Sequence, residues 1–126
     1  LFSDGDDTIS VTSLKEALGA VQSSEAQVYA VDNSVAGPSN GSAILQKIAR
    51  DSGGRYLRLS DGAVNVFNSV IDDLHSARVV TYALPLAASD FHSIRILPTH
   101  NLKLQFRCRS GYYKRASALT YQEERP

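Results

Sequence analysis

The sequence predicts an α/β fold: a short parallel sheet with flanking helices, followed by an antiparallel β-hairpin. Three observations predict it. Short apolar runs take turns with helical-period segments up to about residue 77, the pattern of strands joined by crossover helices. The early runs do not alternate polar with apolar, as in parallel strands covered on both faces. Farther on, Leu102, Leu104, Phe106 and Cys108 alternate with Lys103, Gln105, Arg107 and Arg109, which is the period of a half-buried antiparallel strand.

Leu1-Phe2-Ser3 reads as the first strand, stopped by the acidic, glycine-containing turn that begins at Asp4. Ser13-x-x-Glu16 is a capping box, and Leu14, Ala17, Leu18 and Val21 then form one apolar helical stripe. Gln27–Val31 is a second strand ending at Asp32-Asn33, and the turn residues of Gly37–Gly41 make a loop. A second helix begins near Ser39 to Ser42, buries Ile44, Leu45, Ile48 and Ala49, and ends at Gly53-Gly54, where glycine supplies the left-handed residue. Arg55–Leu59 is a third strand at a sheet edge. Asp61 is the expected cap of a third helix, whose core face is Val64, Phe67, Ile71 and Leu74. Val79–Leu86 is apolar and β-rich. His92–Pro98 and Leu102–Arg109 are the expected arms of the hairpin, with the turn at Pro98-Thr99-His100-Asn101. Tyr112-Tyr113 is expected to pack back on the sheet. The organisation is thus an α/β unit over 1–77, an antiparallel β extension over 78–113 and a polar tail over 114–126, expected to be mobile.

A chain of 126 residues with 43% hydrophobic content is long enough for one domain with its own core. Formal net charge is zero, which argues against a general nucleic-acid binder. The charge is unevenly spread: acidic residues dominate 1–36, where Lys15 is the one base, whereas Lys and Arg dominate 91–126. The basic strand face at Lys103, Arg107 and Arg109 could meet an acidic partner or simply face water. No apolar run approaches the roughly 18 residues that would span a membrane. Cys108 is the single cysteine, so no internal disulfide is possible. The chain has no methionine and opens inside a strand, so the expectation is a piece of a larger protein.

Chemistry is expected first at the carboxyl edge of the sheet, where open α/β folds bind ligands. Asp4 lies there, followed by Gly5, Asp6, Asp7 and Thr8. Ser3-Asp4-Gly5 resembles the strand end of the von Willebrand factor A domain that supplies the last carboxylate of a metal-ion-dependent adhesion site. Arg109-Ser110-Gly111-Tyr112-Tyr113 is similar to the Arg-x-Gly-Tyr-Tyr close of bacterial von Willebrand factor A-related proteins. The resemblance covers about residues 1 to 113, and only the second half of that domain. The family's Asp-x-Ser-x-Ser element is absent, and its threonine ligand would lie upstream. The resemblance implies a non-catalytic protein- or ligand-binding module for adhesion or assembly, with Asp4 as a metal ligand in an incomplete site and Ser3, Gly5, Asp6 and Asp7 at the binding edge. It implies Mg²⁺, or Mn²⁺ or Ca²⁺, in the complete parent domain and no bound ion in this piece alone. It also implies an extracellular or periplasmic place. The partner would be another protein or the missing amino-terminal half, with dimerisation or strand swapping through the first strand if neither is present.

Other readings of the same residues differ. In one, the module is structural and metal-independent, working through sheet edges. In another, Asp4-x-Asp6-x-Thr8 is the Asp-x-Asp-x-Thr motif of a haloacid dehalogenase-like phosphatase, with Asp4 as nucleophile and Asp6 as acid/base. That enzyme also needs a distant lysine and a carboxylate pair at a strand end, and the one adjacent pair downstream, Asp72-Asp73, falls in a predicted helix. A third leaves Asp6, Asp7 and Thr8 as a solvated turn. An EF-hand counted from Asp4 fails, because its sixth and twelfth positions hold Ile9 and Lys15. His75, His92 and His100 lack metal-ligand spacing, and Asn40-Gly41-Ser42 reads as a helix-starting turn rather than a glycosylated sequon.

Overall fold

A computed structural model describes residues 1–6, 12–35, 37, 39–82, 91–100 and 103–113. Asp7, Thr8, the second half of the apolar stretch Val79–Leu86, Asn101 and Leu102 of the expected hairpin, and the tail 114–126 lie outside the described residues. The order is β1 (Phe2–Ser3), α1 (Leu14–Ser23), β2 (Ala30–Asp32), α2 (Asn40–Ser52), β3 (Tyr56–Arg58), a 3₁₀ turn (Leu59–Asp61), α3 (Ala63–Ser76), β4 (Phe91–Ser93) and β5 (Gly111–Tyr113). The fold is α/β. Strands β1-β2-β3 form a parallel sheet in that order, and β4 and β5 form a separate antiparallel pair.

The local signals in the first half of the chain act as expected. Ser13 caps α1 and exchanges bonds with Glu16 in a full capping box, and the Ser13 N–H and hydroxyl hold the Glu16 carboxyl below its ordinary pKa. Ser39 and Ser42 make a second box at α2. Gly53 ends α2 with φ +84°, a region where an L side chain is strained. A Cβ at Gly53 would also stand 2.5 Å from the Arg109 backbone nitrogen, so residue 53 must be glycine for both reasons.

The core is small. Ala30 of β2 packs with Leu45 and Ala49 of α2, and Tyr56 of β3 leans on them. Val31 and Val66 are the other buried apolar residues among those described. Helices α1 and α2 lie against each other, yet α1 buries no residue fully.

Four expectations need correction. Helix α3 forms, but its stripe of Val64, Phe67, Ile71 and Leu74 is not core: these residues are 72%, 53%, 47% and 55% exposed, and Val66 is buried instead at 2%. The stripe has helical period but, apart from Phe2, which meets Phe67 at a ring distance of 6.2 Å, little of the described chain lies over it. Asp61 is not the helix cap. It sits in the 3₁₀ turn, Gly62 occupies the cap position without a side-chain bond, and the Asp61 carbonyl accepts from the Asn65 amide. The antiparallel pairing is displaced along the chain, to Phe91↔Tyr113, His92↔Tyr112 and Ser93↔Gly111, while residues 103–109 run irregularly. Leu104 and Phe106 of the predicted inner face are about half exposed. Finally, Tyr112 and Tyr113 pack not on the parallel sheet but across their own pair, Tyr112 stacked on His92 at 5.2 Å and Tyr113 against Phe91 at 5.0 Å.

The displacement has a physical source in the arginines. Arg107 turns inward to form an ion pair with Asp73 of α3, which Arg55 also meets at 3.2 Å. The Arg109 guanidinium donates to the carbonyls of Val21, Gln22 and Ser24 at the end of α1. Arg107 and Arg109, read from the alternation as a solvated face, are therefore anchors. The pairing begins after them, with Ser110 donating to the Asp51 carbonyl and Ile94 donating to the Ser110 carbonyl. Gly111 is required beside Phe91, whose ring would lie 2.4 Å from an added Cβ.

Candidate functional site

The carboxyl ends of β1 and β2 meet the amino end of α2. The register sets Ser3 beside Asp32, so Asp4 projects one residue beyond the ladder. Gly5 adopts φ +78°. The Ser3 hydroxyl accepts from the Gly5 N–H at 3.0 Å, and the Asp4 carboxylate accepts from the Asp6 N–H at 3.1 Å. This is an Asx turn, which Asp favours because its short side chain mimics a backbone carbonyl. The turn lies hard against the first turn of α2: a Cβ on Gly41 would be 2.4 Å from the Asp4 carbonyl oxygen, and one on Gly5 would be 2.2 Å from the Gly41 oxygen. Two glycines facing each other thus bring the strand end and helix start into backbone contact, as close approach requires.

Ser3, Asp4, Gly5 and Asp6 are therefore gathered in one turn, with Asp4 and Asp6 exposed; Asp7 is outside the described residues. Ser3 and Gly5 act within the turn rather than pointing away from it. Among the described residues, no group of three or more His, Cys, Asp or Glu side chains could hold a metal ion. Asp4 brings one carboxylate, partly engaged by the Asp6 N–H, whereas Mg²⁺ demands near-octahedral oxygen coordination. The described donors do not make a complete site, and an ion at this edge would need ligands from elsewhere. Asp72-Asp73 lies within α3, and Asp73 is occupied by Arg55 and Arg107.

A second carboxylate, not singled out from the sequence, organises the floor of this edge. Asp32 ends β2 and is buried. Its Oδ2 accepts from the Ser42 hydroxyl and the Tyr56 hydroxyl, each at 2.5 Å, and its Oδ1 accepts from the Ser34 N–H at 2.8 Å. The Ser42 hydroxyl first, then Tyr56 and Ser34, hold the Asp32 carboxyl well below the usual range, against the opposing effect of burial. Burial, followed by the bond to Asp32, pushes the Tyr56 phenol up. Asp32 thus joins β2, α2 and β3 and has donors on both oxygens. The sequence held a signal for it, an acidic residue closing an apolar strand just as Asp4 does, but the partner hydroxyls are 10 and 24 residues away.

One flank of the site is uncovered among the described residues. Among these residues, strand β1 pairs with β2 alone and ends the sheet. Its Leu1 and Ser3 carbonyls accept from Val31 and Asn33, which directs the Phe2 backbone groups the other way. Phe2 and the stripe of α3 make an apolar surface next to that edge. No helix among the described residues is long and apolar enough to cross a membrane. No family model, curated protein or solved structure was found to match the chain.

Proposed function

We propose that the chain is a non-catalytic protein-binding module of von Willebrand factor A type, with an incomplete metal-ion-dependent adhesion site at Asp4. The observation that carries the reading is the coincidence of three features on one flank: the exposed Asp4 turn, the open edge of β1, and the uncovered apolar stripe of α3. An unpaired strand edge beside apolar side chains accepts another strand, and a contiguous apolar patch on a small unit marks an interface. The strand order β1-β2-β3 with the acidic turn at the end of β1 is compatible with the second half of that domain, whose missing first strand would pair beside β1. In this reading the partner supplies that strand and covers Phe2, Phe67 and Ile71. Mg²⁺, Mn²⁺ or Ca²⁺ would bind only when the partner adds hydroxyl ligands to Asp4.

A metal-independent assembly module is the second reading, favoured by the Asp4 carboxylate already accepting from the Asp6 N–H. Sedimentation velocity, with and without Mg²⁺, tests both. The wild-type chain should self-associate as its concentration rises, since the described residues leave the flank bare, and Ile71→Asp should hold it monomeric. Association that strengthens with Mg²⁺ and is lost in Asp4→Ala marks the metal-dependent mode. Association indifferent to both marks the metal-independent one. A wild-type monomer at high concentration removes the interface. Tight Mg²⁺ binding lost on Asp6→Asn, together with phosphatase activity, would replace the reading with the dehalogenase-like enzyme.

A further inference from the structure

At the opposite end of the sheet, where β3 begins, the molecule holds a groove of about 540 Å³ between the end of α2, the start of β3 and the two irregular stretches that follow β4 and precede β5. Four arginines line it: Arg50, Arg55, Arg95 and Arg107. No carboxylate does among the described residues. Behind the wall, Asp73 is shared between Arg55 and Arg107, so those two retain one positive charge. Arg50 is 76% exposed and reaches Asp51 only at 3.8 Å, and Asp51 is closer to Lys47. Arg95 is exposed and makes no ion pair among the described residues. The groove therefore carries uncompensated positive charge, although the chain as a whole is neutral.

Apart from Gln46 and Tyr56, its other side chains are apolar. Ile94, Ile96 and Phe106 all face the groove, and the latter two are about half exposed. Strand β3 is the other end of the parallel sheet, and residues 94–98 and 103–109 belong to no ladder. Apolar floor, guanidinium rim and unladdered backbone fit an extended peptide better than a nucleic-acid backbone, which would need charge over a wider surface and no aliphatic floor. Guanidinium forks bind carboxylates in bidentate fashion, and strands dock through backbone bonds with alternate side chains in pockets.

We propose that this groove binds an acidic, extended protein segment in which Asp or Glu residues alternate with aliphatic ones. Aliphatic side chains lie on Ile94, Ile96 and Phe106, and carboxylates reach Arg50 and Arg95. The site is remote from Asp4 and does not depend on the adhesion-type reading.

Fluorescence anisotropy tests it, with a labelled peptide of alternating glutamate and leucine as the probe. Saturable binding that weakens as salt is raised is expected, and Arg95→Glu and Arg50→Glu should each weaken it by about tenfold or more, as reversal of an interfacial charge does. The α3 variant Ile71→Asp should bind the probe as the wild type does, which separates this site from the flank at Asp4. Circular dichroism of the two exposed-arginine variants should match the wild type. No binding, equal binding of a lysine–leucine peptide, unchanged affinity in both arginine variants, or full displacement by a single-stranded oligonucleotide of equal charge would each overturn the proposal.

Discussion

Helices α2 and α3 carry equally clear amphipathic stripes but meet different fates. In α2, Leu45 and Ala49 are buried against Ala30 and Tyr56. In α3, the side chains expected to do the same are about half exposed or more, and only Val66 is buried. The difference teaches that periodicity states which face of a helix would gain from burial, while the cover must come from other elements. For α2 the sheet supplies it within a short stretch of chain. For α3 the described residues supply Phe2 and little else, so the same sequence signal describes a core in one helix and a surface in the other.

The largest expected effect is on the α2 side. Leu45→Ala empties a position that is 2% exposed and should lower stability by about 2–5 kcal/mol, read from the urea midpoint. A loss as small as that of an α3 variant would erase the distinction between the helices.

Asp32→Ala is next. It orphans the Ser42 and Tyr56 hydroxyls, at about 1–3 kcal/mol for a buried polar group left unpaired. The wild type should also show a matching acid dependence. The folded pKa of Asp32 is depressed below the ordinary 3.8, so its stabilising contribution is complete above that value and is lost as the pH falls from there towards the folded pKa. Urea midpoints measured through this acid range should fall less in Asp32→Ala than in the wild type; equal falls would show that Asp32 is not the group responsible.

The smallest effect belongs to α3. Ile71→Ala should shift the midpoint of dilute, monomeric protein by only about 0.5 kcal/mol, as at other exposed positions. Repeating the measurement at high concentration sharpens the contrast, because an Ile71 covered by another chain would then behave more like Leu45. A large loss in the dilute monomer would mean that α3 already has its cover.

The legible parts of the fold are those written locally. The Ser13–Glu16 capping box, the start of α2 near Ser39, the left-handed Gly53 and the parallel order need only residues close in sequence or a short crossover. The carboxylate of Asp4 was placed at the strand end for the same reason, and the Asp6 N–H that it accepts is two residues away. What escaped is non-local. Asp32 has no visible role until Tyr56 arrives from another strand. The alternation from Leu102 to Arg109 suggests a ladder, but Arg107 and Arg109 are engaged by Asp73 and by the end of α1, partners that lie far off in sequence and that alternation cannot reveal. Asp61 resembled a cap because acidic residues favour helix starts, yet the tight turn it occupies sets Gly62 at the boundary instead.

The grip of Arg109 on the Ser24 carbonyl, across 85 residues, has a consequence for the order in which the protein takes shape during synthesis. The start of α1 is secured by its own neighbours, since Ser13 and Glu16 cap it as soon as they leave the ribosome. Its finish is only partly local: the Ser24 N–H and hydroxyl close on the Val21 carbonyl, whereas the Gln22 and Ser24 carbonyls meet their guanidinium only once Arg109 has been made. A chain halted before Arg109 would leave the Gln22 and Ser24 carbonyls to water, whatever the state of the sheet. The first helix is therefore closed early by Ser24, and its outermost carbonyls gain their charged partner late.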